Sequence, residues 1–222
     1  MSIYKPAFSS DEYDEKIAVV LPYYEDFYKQ VSDILHCCFN QKISWLDLGC
    51  GSGKMAETAF REFTIERFVF CDISENMINI AKSRFENTRS EFIVSPIQNI
   101  KFSEEFDVVT SIMVNHFLSD SERLLTVSNC FNSLKKNGIF ISFENFAPFT
   151  EDGEKLFLER WKRFQIRNGK NSQEAENHIN RYKKDYFPYT LSQIIELFKS
   201  SGFKQTEILW LSNMQVGIIG IK

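Results

Sequence analysis

One feature constrains the fold of this chain more than any other: short β-branched and aromatic segments alternate with amphipathic ones. From Ile43 to Asn145 they read ISWLDL, KMAETAFREF, RFVFCDI, SENMINIAKSRF, EFIVS, FDVVTSIM, DSERLLTVSNCFNSLKK and GIFISFEN. The segments of period two read as strands and those of period 3.6 as helices. Such alternation builds right-handed crossovers and a parallel sheet with helices on both faces. Before it, EYDEKIAVVLPYYEDFYKQVSDILHCCF predicts two helices broken at Pro22, and after it TLSQIIELFKSSGF predicts a helix from Thr190 to Gly202. KQTEILWLS and MQVGIIGIK close the chain as two strands in a tight pair. Between Pro148 and Phe187 lies a highly charged helical insertion with Trp161, Phe164, Ile179 and Tyr182 on its apolar stripes. Helix caps are expected at Ser74 and at Asp120 or Ser121. The expectation is one domain: N-terminal helices over 1–40, a ligand-binding core over 43–147, a helical lid over 148–188, and a C-terminal helix and strand pair over 189–222.

Composition narrows the function. With 222 residues, 43% of them hydrophobic, the chain can bury a substantial core. A net charge of −4 supplies no global field for a polyanion, so nucleic acid is not the expected partner. The five cysteines show no paired metal-ligand spacing and read as reduced thiols, with no metal expected. No apolar run approaches the roughly 20 residues a membrane span needs, and the first residues lack a signal-peptide core; a cytoplasmic, soluble protein is expected.

The strand ISWLDL runs into Gly49-Cys50-Gly51-Ser52-Gly53 and then a helix near Lys54. Glycines there let a ligand touch the main chain. A phosphate-binding P-loop fails, because Lys54 is followed by Met55 and the glycine spacing is wrong. A dinucleotide loop is disfavoured as well: the pattern is G-x-G-x-G, and Asp47, two residues upstream, would repel a pyrophosphate. A ligand carrying a cation suits that acid. Asp72, at the end of the second strand, suits a pair of ribose hydroxyls. Together these features point to S-adenosylmethionine.

WLDLGCGSG, FCDIS, FDVVTSIMVNHFL and LKKNGIFISFENF, in this order and spacing, resemble the successive motifs of class I S-adenosylmethionine-dependent methyltransferases over roughly residues 43 to 145. The resemblance implies a Rossmann-like doubly wound seven-stranded sheet whose last strand is antiparallel. It implies that Asp47 and the Gly49–Gly53 loop, Cys50 and Gly51 included, hold the methionine end of the cofactor. Asp72 would take the ribose and Ile73 one face of the adenine, with Met77, Ser111 and Ile112 nearby. Many relatives carry an acid after the third strand for the adenine amino group. Here Ser95 or Pro96 stands there, which leaves adenine recognition to the backbone near Ile97 and to Gln98.

The sulfonium already activates the methyl group, so the protein need only align a nucleophile and, for some acceptors, take a proton. His116, after the fourth strand, is the candidate base; its rival role is to orient a loop. Glu144 and Asn145, past the fifth strand, are candidates for the acceptor or for loop bracing. The insertion is expected to cover the acceptor pocket, with Trp161, Arg163, Arg167, His178, Arg181 and Tyr182 as its notable side chains. Its Arg and Lys residues suggest a small acceptor bearing a carboxylate or phosphate. Trp161 alternatively anchors packing, Asp107 is expected to cap or brace the fourth strand, and one or two of Tyr4, Tyr13, Tyr23 and Tyr24 are expected over the cofactor. YDEKIAVVLPYYEDF, HINRYKKDYFPYTLSQIIELFKSSGF and MQVGIIGIK are also similar in order and character to carboxy-S-adenosylmethionine synthases of the tRNA-wobble pathway. That likeness matches Arg181 to an arginine that receives the extra carboxylate. A non-catalytic nucleoside-binding module is the remaining reading, and the oligomeric state stays open between monomer and homodimer.

Overall fold

The computed structural model describes the backbone from Tyr13 to Lys222 and side chains from Lys16 onward. Its sheet contains β1 (Ile43–Leu48), β2 (Ile65–Asp72), β3 (Ser90–Val94), β4 (Phe106–Ile112), β5 (Leu134–Asn145), β6 (Gln205–Ser212) and β7 (Gln215–Ile221). The spatial order is β3-β2-β1-β4-β5-β7-β6. β7 runs antiparallel to both β5 and β6, and the other pairings are parallel. The order reverses between β1 and β4, so a crevice opens beyond their carboxyl ends, where α/β sheets take their ligands.

Every residue of β1 is buried, because helices cover the sheet on both sides. Alternate residues serve the two faces. Trp45, Phe68, Phe70 and Val108 meet α2 (Tyr24–Cys38), α3 (Lys54–Glu62) and α4 (Glu75–Phe85) through Phe27, Val31, Ala59 and Phe85. Leu46, Val69, Val109 and Phe140 meet α5 (Asp120–Ser133) and α8 (Leu191–Ser200) through Val127, Cys130 and Phe198. The break expected at Pro22 separates α1 (Tyr13–Val20) from α2, with Tyr23 in the left-handed region at φ 59°. Asp107 does brace β4: its carboxylate accepts from the Ser44 amide at 2.8 Å and from Lys135 Nζ at 2.8 Å. Among the described residues, no helix is long and apolar enough to cross a membrane.

Three expectations need correction. The helix expected to reach Lys136 ends at Ser133, because Leu134 is buried opposite Phe106 and already belongs to β5. The cap of α5 is Ser119, not Asp120 or Ser121. Its side chain and that of Glu122 bond each other's backbone in a capping box. The insertion forms α6 (Glu151–Arg167) and α7 (Ser172–Ile179). None of its residues lines the cavity beyond the strand ends. Trp161, Ile179, Tyr182 and Tyr186 join the core on the α1–α2 side of the sheet.

Candidate functional site

Beyond the carboxyl ends of β1, β2 and β4 lies a cavity of about 470 Å³. Asp47, Gly49, Cys50, Gly51, Asp72, Ile73, Met77, Ile97, Gln98 and Ile112, all expected at the cofactor, line it. The loop after β1 is tied down by main-chain bonds: the amides of Gly49 and Cys50 both donate to Cys71 O, at 2.7 and 3.0 Å. Gly49 has φ 69°, and a Cβ there would stand 2.3 Å from Val114 Cγ2. Gly51 has φ 54°, and a Cβ there would enter open space. Gly53 backs onto the rings of Phe85 and Phe70 and does not line the cavity.

The two acids sit at strand ends for different reasons. Asp72 is held by main-chain donors, the Ser74 amide at 2.8 Å and the Gly51 amide at 3.0 Å, so it ties loop to strand. Burial raises its carboxyl above the usual range, against the pull of those donors. Asp47 is only 2% exposed and, among the described residues, accepts one hydrogen bond, from Thr110 Oγ1 at 2.7 Å. Burial pushes it up to about 7; the Thr110 bond opposes that rise, and the charge of Asp72 adds to it. Burying an acid without a cation is costly. A cationic ligand restores the ionised form, and the space beside Gly51 lets it approach the main chain. The donor set therefore fits a sulfonium nucleoside with an ammonium group.

The far wall holds residues that sequence reasoning missed. Glu122 of α5 lines the cavity beside Gln98, whose Nε2 donates to Glu122 Oε1 at 3.3 Å; Asn129 Nδ2 donates to Gln98 O at 3.1 Å. An acid thus arrives from α5 where the third strand offers none, and the available signal was the capping box at Ser119. Tyr28, Lys54, Met113, Val114, Phe117 and Leu118 line the cavity too, as does Tyr24. Tyr28 Oη donates to Tyr24 Oη at 2.6 Å. Tyr23 is exposed and meets Trp210 edge-on. Tyr4 and the side chain of Tyr13 lie outside the described residues.

The residues expected at the acceptor are elsewhere. His116, the candidate base, is not on the cavity wall. Its Nδ1 lies 2.6 Å from Glu144 Oε2, and its ring is wedged between Phe117 and Tyr186. Glu144 is spent on this turn: it accepts from the amides of Asn115 and His116, from Asn115 Nδ2 and from Ser142 Oγ. Ser111 is fully buried and accepts from Asn115 Nδ2. Asn145 accepts from Gln215 Nε2 at 2.9 Å across β5 and β7. Trp161 anchors the insertion, its indole donating to Val20 O. Arg181 pairs with Asp185 at 2.9 Å, and Tyr182 donates to Glu154 at 3.0 Å. Arg163 pairs with Glu159 on the surface, and Arg167 is exposed. No insertion residue lines the cavity. Arg181 and His178 instead line a second hollow, of about 460 Å³, with Lys16 and Lys170.

The strand order with one antiparallel strand and the acid-flanked glycine loop at the switch point are what the resemblance to class I S-adenosylmethionine-dependent methyltransferases implies. Residues 46–138 match the family model described as "Methyltransferase domain". That match to a methyltransferase domain supports S-adenosylmethionine as the cofactor. It is similar to the carboxy-S-adenosyl-L-methionine synthase of Staphylococcus epidermidis, 22% identical over 99% of this chain and 96% of that one. It is also similar to the malonyl-[acyl-carrier protein] O-methyltransferase of Bacillus anthracis, 27% identical over 71% of this chain and 55% of that one. A solved structure of an S-adenosylmethionine-dependent methyltransferase from Thermotoga maritima shares the fold, with a TM-score of 0.62 and 17% identity, covering 96% of this chain and 95% of that one.

Proposed function

We propose that the cavity binds S-adenosylmethionine with Asp47 facing its ammonium group and Asp72 its ribose, and that the protein methylates a small, uncharged acceptor. The observation that carries this is the buried Asp47 beside the open main chain at Gly51, an acid with no ion-pair partner among the described residues. S-adenosylmethionine supplies an electrophilic methyl group, so the chain's own work is to bind, orient and exclude water. Ile73 and Ile97 offer apolar faces to the adenine, with Gln98 and Glu122 as polar groups at its edge. Tyr24, Tyr28, Lys54 and Phe117 remain for the acceptor.

The charge inventory argues for an uncharged acceptor. Among the described residues, three carboxylates line the cavity, those of Asp47, Asp72 and Glu122, against one ammonium, that of Lys54. Lys54 already lies 3.4 Å from both Glu25 and Glu57. An anionic acceptor would therefore enter an acidic chamber. Calorimetry with S-adenosylmethionine, NAD and ATP tests the cofactor assignment: tight binding of either phosphorylated ligand, with indifference to the sulfonium compound, would sink it.

A second reading, synthesis of carboxy-S-adenosylmethionine, is favoured by the near full-length similarity to the Staphylococcus epidermidis synthase. Mass spectrometry of ligand carried through purification separates the two, because the carboxylated nucleoside differs in mass from the methyl donor.

A further inference from the structure

Asp47 owes its orientation to two side chains that never reach the cavity. In the parallel pair β1 and β4, Trp45 lies opposite Val108 and Asp47 opposite Thr110. Trp45, Asp47, Val108 and Thr110 therefore project from the same face of the sheet. There the Trp45 indole Nε1 donates to Thr110 Oγ1 at 2.8 Å, and Thr110 Oγ1 donates to Asp47 Oδ1 at 2.7 Å. All three side chains are shut away from solvent, with Trp45 and Thr110 fully buried.

The direction of this chain is fixed by chemistry. An indole N–H can only donate, so the hydroxyl of Thr110 must accept from Trp45. The hydroxyl's single proton is then left for Asp47. Trp45 is itself held between Phe68, stacked at 5.9 Å between ring centroids, and Phe63, edge-on at 6.1 Å. We propose that Trp45 and Thr110 form a positioning relay that commits Oδ1 of Asp47 and leaves Oδ2 for the cationic group of the cofactor. The inference rests on the assignment of Asp47 to that cation and goes beyond it, since neither relay residue lines the site.

The relay favours the ionised carboxylate over the neutral acid, because Thr110, committed to donating, bonds a charged oxygen more strongly than a neutral carbonyl and cannot accept a proton from the acid. Other titratable groups around Asp47 act differently. Cys71 and Asp72 lie near it from β2 and Cys50 from the loop, while Lys54 of α3, Tyr24 and Tyr28 of α2 and Glu122 of α5 share its cavity. Asp72 raises the Asp47 carboxyl, and Thr110 is the group that lowers it.

The test is the pH dependence of S-adenosylmethionine affinity, measured by calorimetry between pH 5 and 8.5, with Asp47→Asn supplying the contribution of the ligand's own groups. The wild type should gain affinity as pH rises, levelling off above the Asp47 inflection. Thr110→Val should move that inflection upward and weaken binding at pH 7 by about tenfold, the loss of one hydrogen bond to a charged group. Thr110→Ser, which keeps the hydroxyl, should restore both within about twofold. Trp45→Phe should move the inflection in the same direction by less, and it decides the matter if the valine variant does not fold. A folded Thr110→Val, or failing that Trp45→Phe, with wild-type affinity and inflection overturns the relay. Unchanged binding in Asp47→Asn instead sinks the cofactor assignment beneath it, so the two failures are distinguishable.

Discussion

Asp47 is the residue at which folding and binding pull in opposite directions. Its carboxyl is pushed up to about 7 by burial, from an ordinary value of 3.8. A folded-state value above the unfolded one means that the contribution is fully present below about pH 4 and is lost as pH rises through 7. Without ligand, the wild type should therefore lose stability relative to Asp47→Asn across that window, as urea denaturation at pH 5 and pH 8 would show. With saturating S-adenosylmethionine the order should reverse, because the cation meets an ionised acid only in the wild type. The glycines allow a similar separation. Gly49→Ala sets a Cβ against Val114 and should cost at least about 2 kcal/mol of folding stability. Gly51→Ala meets no atom and should cost about 1 kcal/mol from its backbone conformation alone, yet abolish most cofactor affinity. Thermal melts paired with calorimetry check both. Asp47, the glycines and Asp72 were legible in the sequence because they stand at fixed offsets from one strand-to-helix turn. Glu122, Tyr28 and Phe117 were not, because helix packing alone carries them to the cavity.

At the level of elements, the turn after β4 governs where the insertion goes. Asn115, His116 and Phe117 form a 3₁₀ turn, and Glu144 from β5 gathers the amides and side chains of Asn115 and His116. Arg123 of α5 clamps the same turn from below, donating to Asn115 O, Leu118 O and Phe187 O, with its guanidinium 3.8 Å from the Tyr189 ring centroid. The Phe187 amide returns a bond to His116 O at 2.8 Å, which ties the end of the insertion to the site. Arg123→Leu keeps much of the volume but strands three carbonyls, and should cost about 3 kcal/mol or more by chemical denaturation. It should also loosen Phe117, so S-adenosylmethionine affinity should fall in the same variant. A charged side chain in an amphipathic helix reads as solvated surface, which is why Arg123 carried no signal. His116 and Glu144 did draw notice as polar residues after strands. Their partners were unreadable because the bonds cross from β4 to β5. The boundary between α5 and β5 was hidden for a related reason: NSLKKNG suits a helix end by composition, and only the pairing of Leu134 with Phe106 pulls it into the sheet.

Across the whole molecule, charge is sorted in a way that the linear order disguises. The insertion is rich in Arg and Lys and follows the last parallel strand, which suggested a basic cover over the acceptor. Its apolar stripe instead docks on the α1–α2 side of the sheet through Trp161, Ile179 and Tyr182. The cations go with it: Arg181 lies against Asp185, and with Lys16 and Lys170 it lines a hollow separate from the cofactor cavity. The cavity keeps the acids. A carboxylate added to the methyl position of the cofactor would enter a chamber that also holds Asp47, Asp72 and Glu122, with Lys54 the lone cation lining it among the described residues. Carboxy-S-adenosylmethionine should accordingly bind at least about tenfold more weakly than S-adenosylmethionine, a penalty of roughly 1.4 kcal/mol that one uncompensated charge readily supplies. Arg181→Met should leave the affinity for S-adenosylmethionine within about twofold of wild type, since the side chain it removes is not on that wall. Competition calorimetry with both nucleosides on both proteins measures each quantity. Tighter binding of the carboxylated form, lost in Arg181→Met, would mean that Arg181 reaches the site after all and would transfer the weight of evidence to the synthase reading.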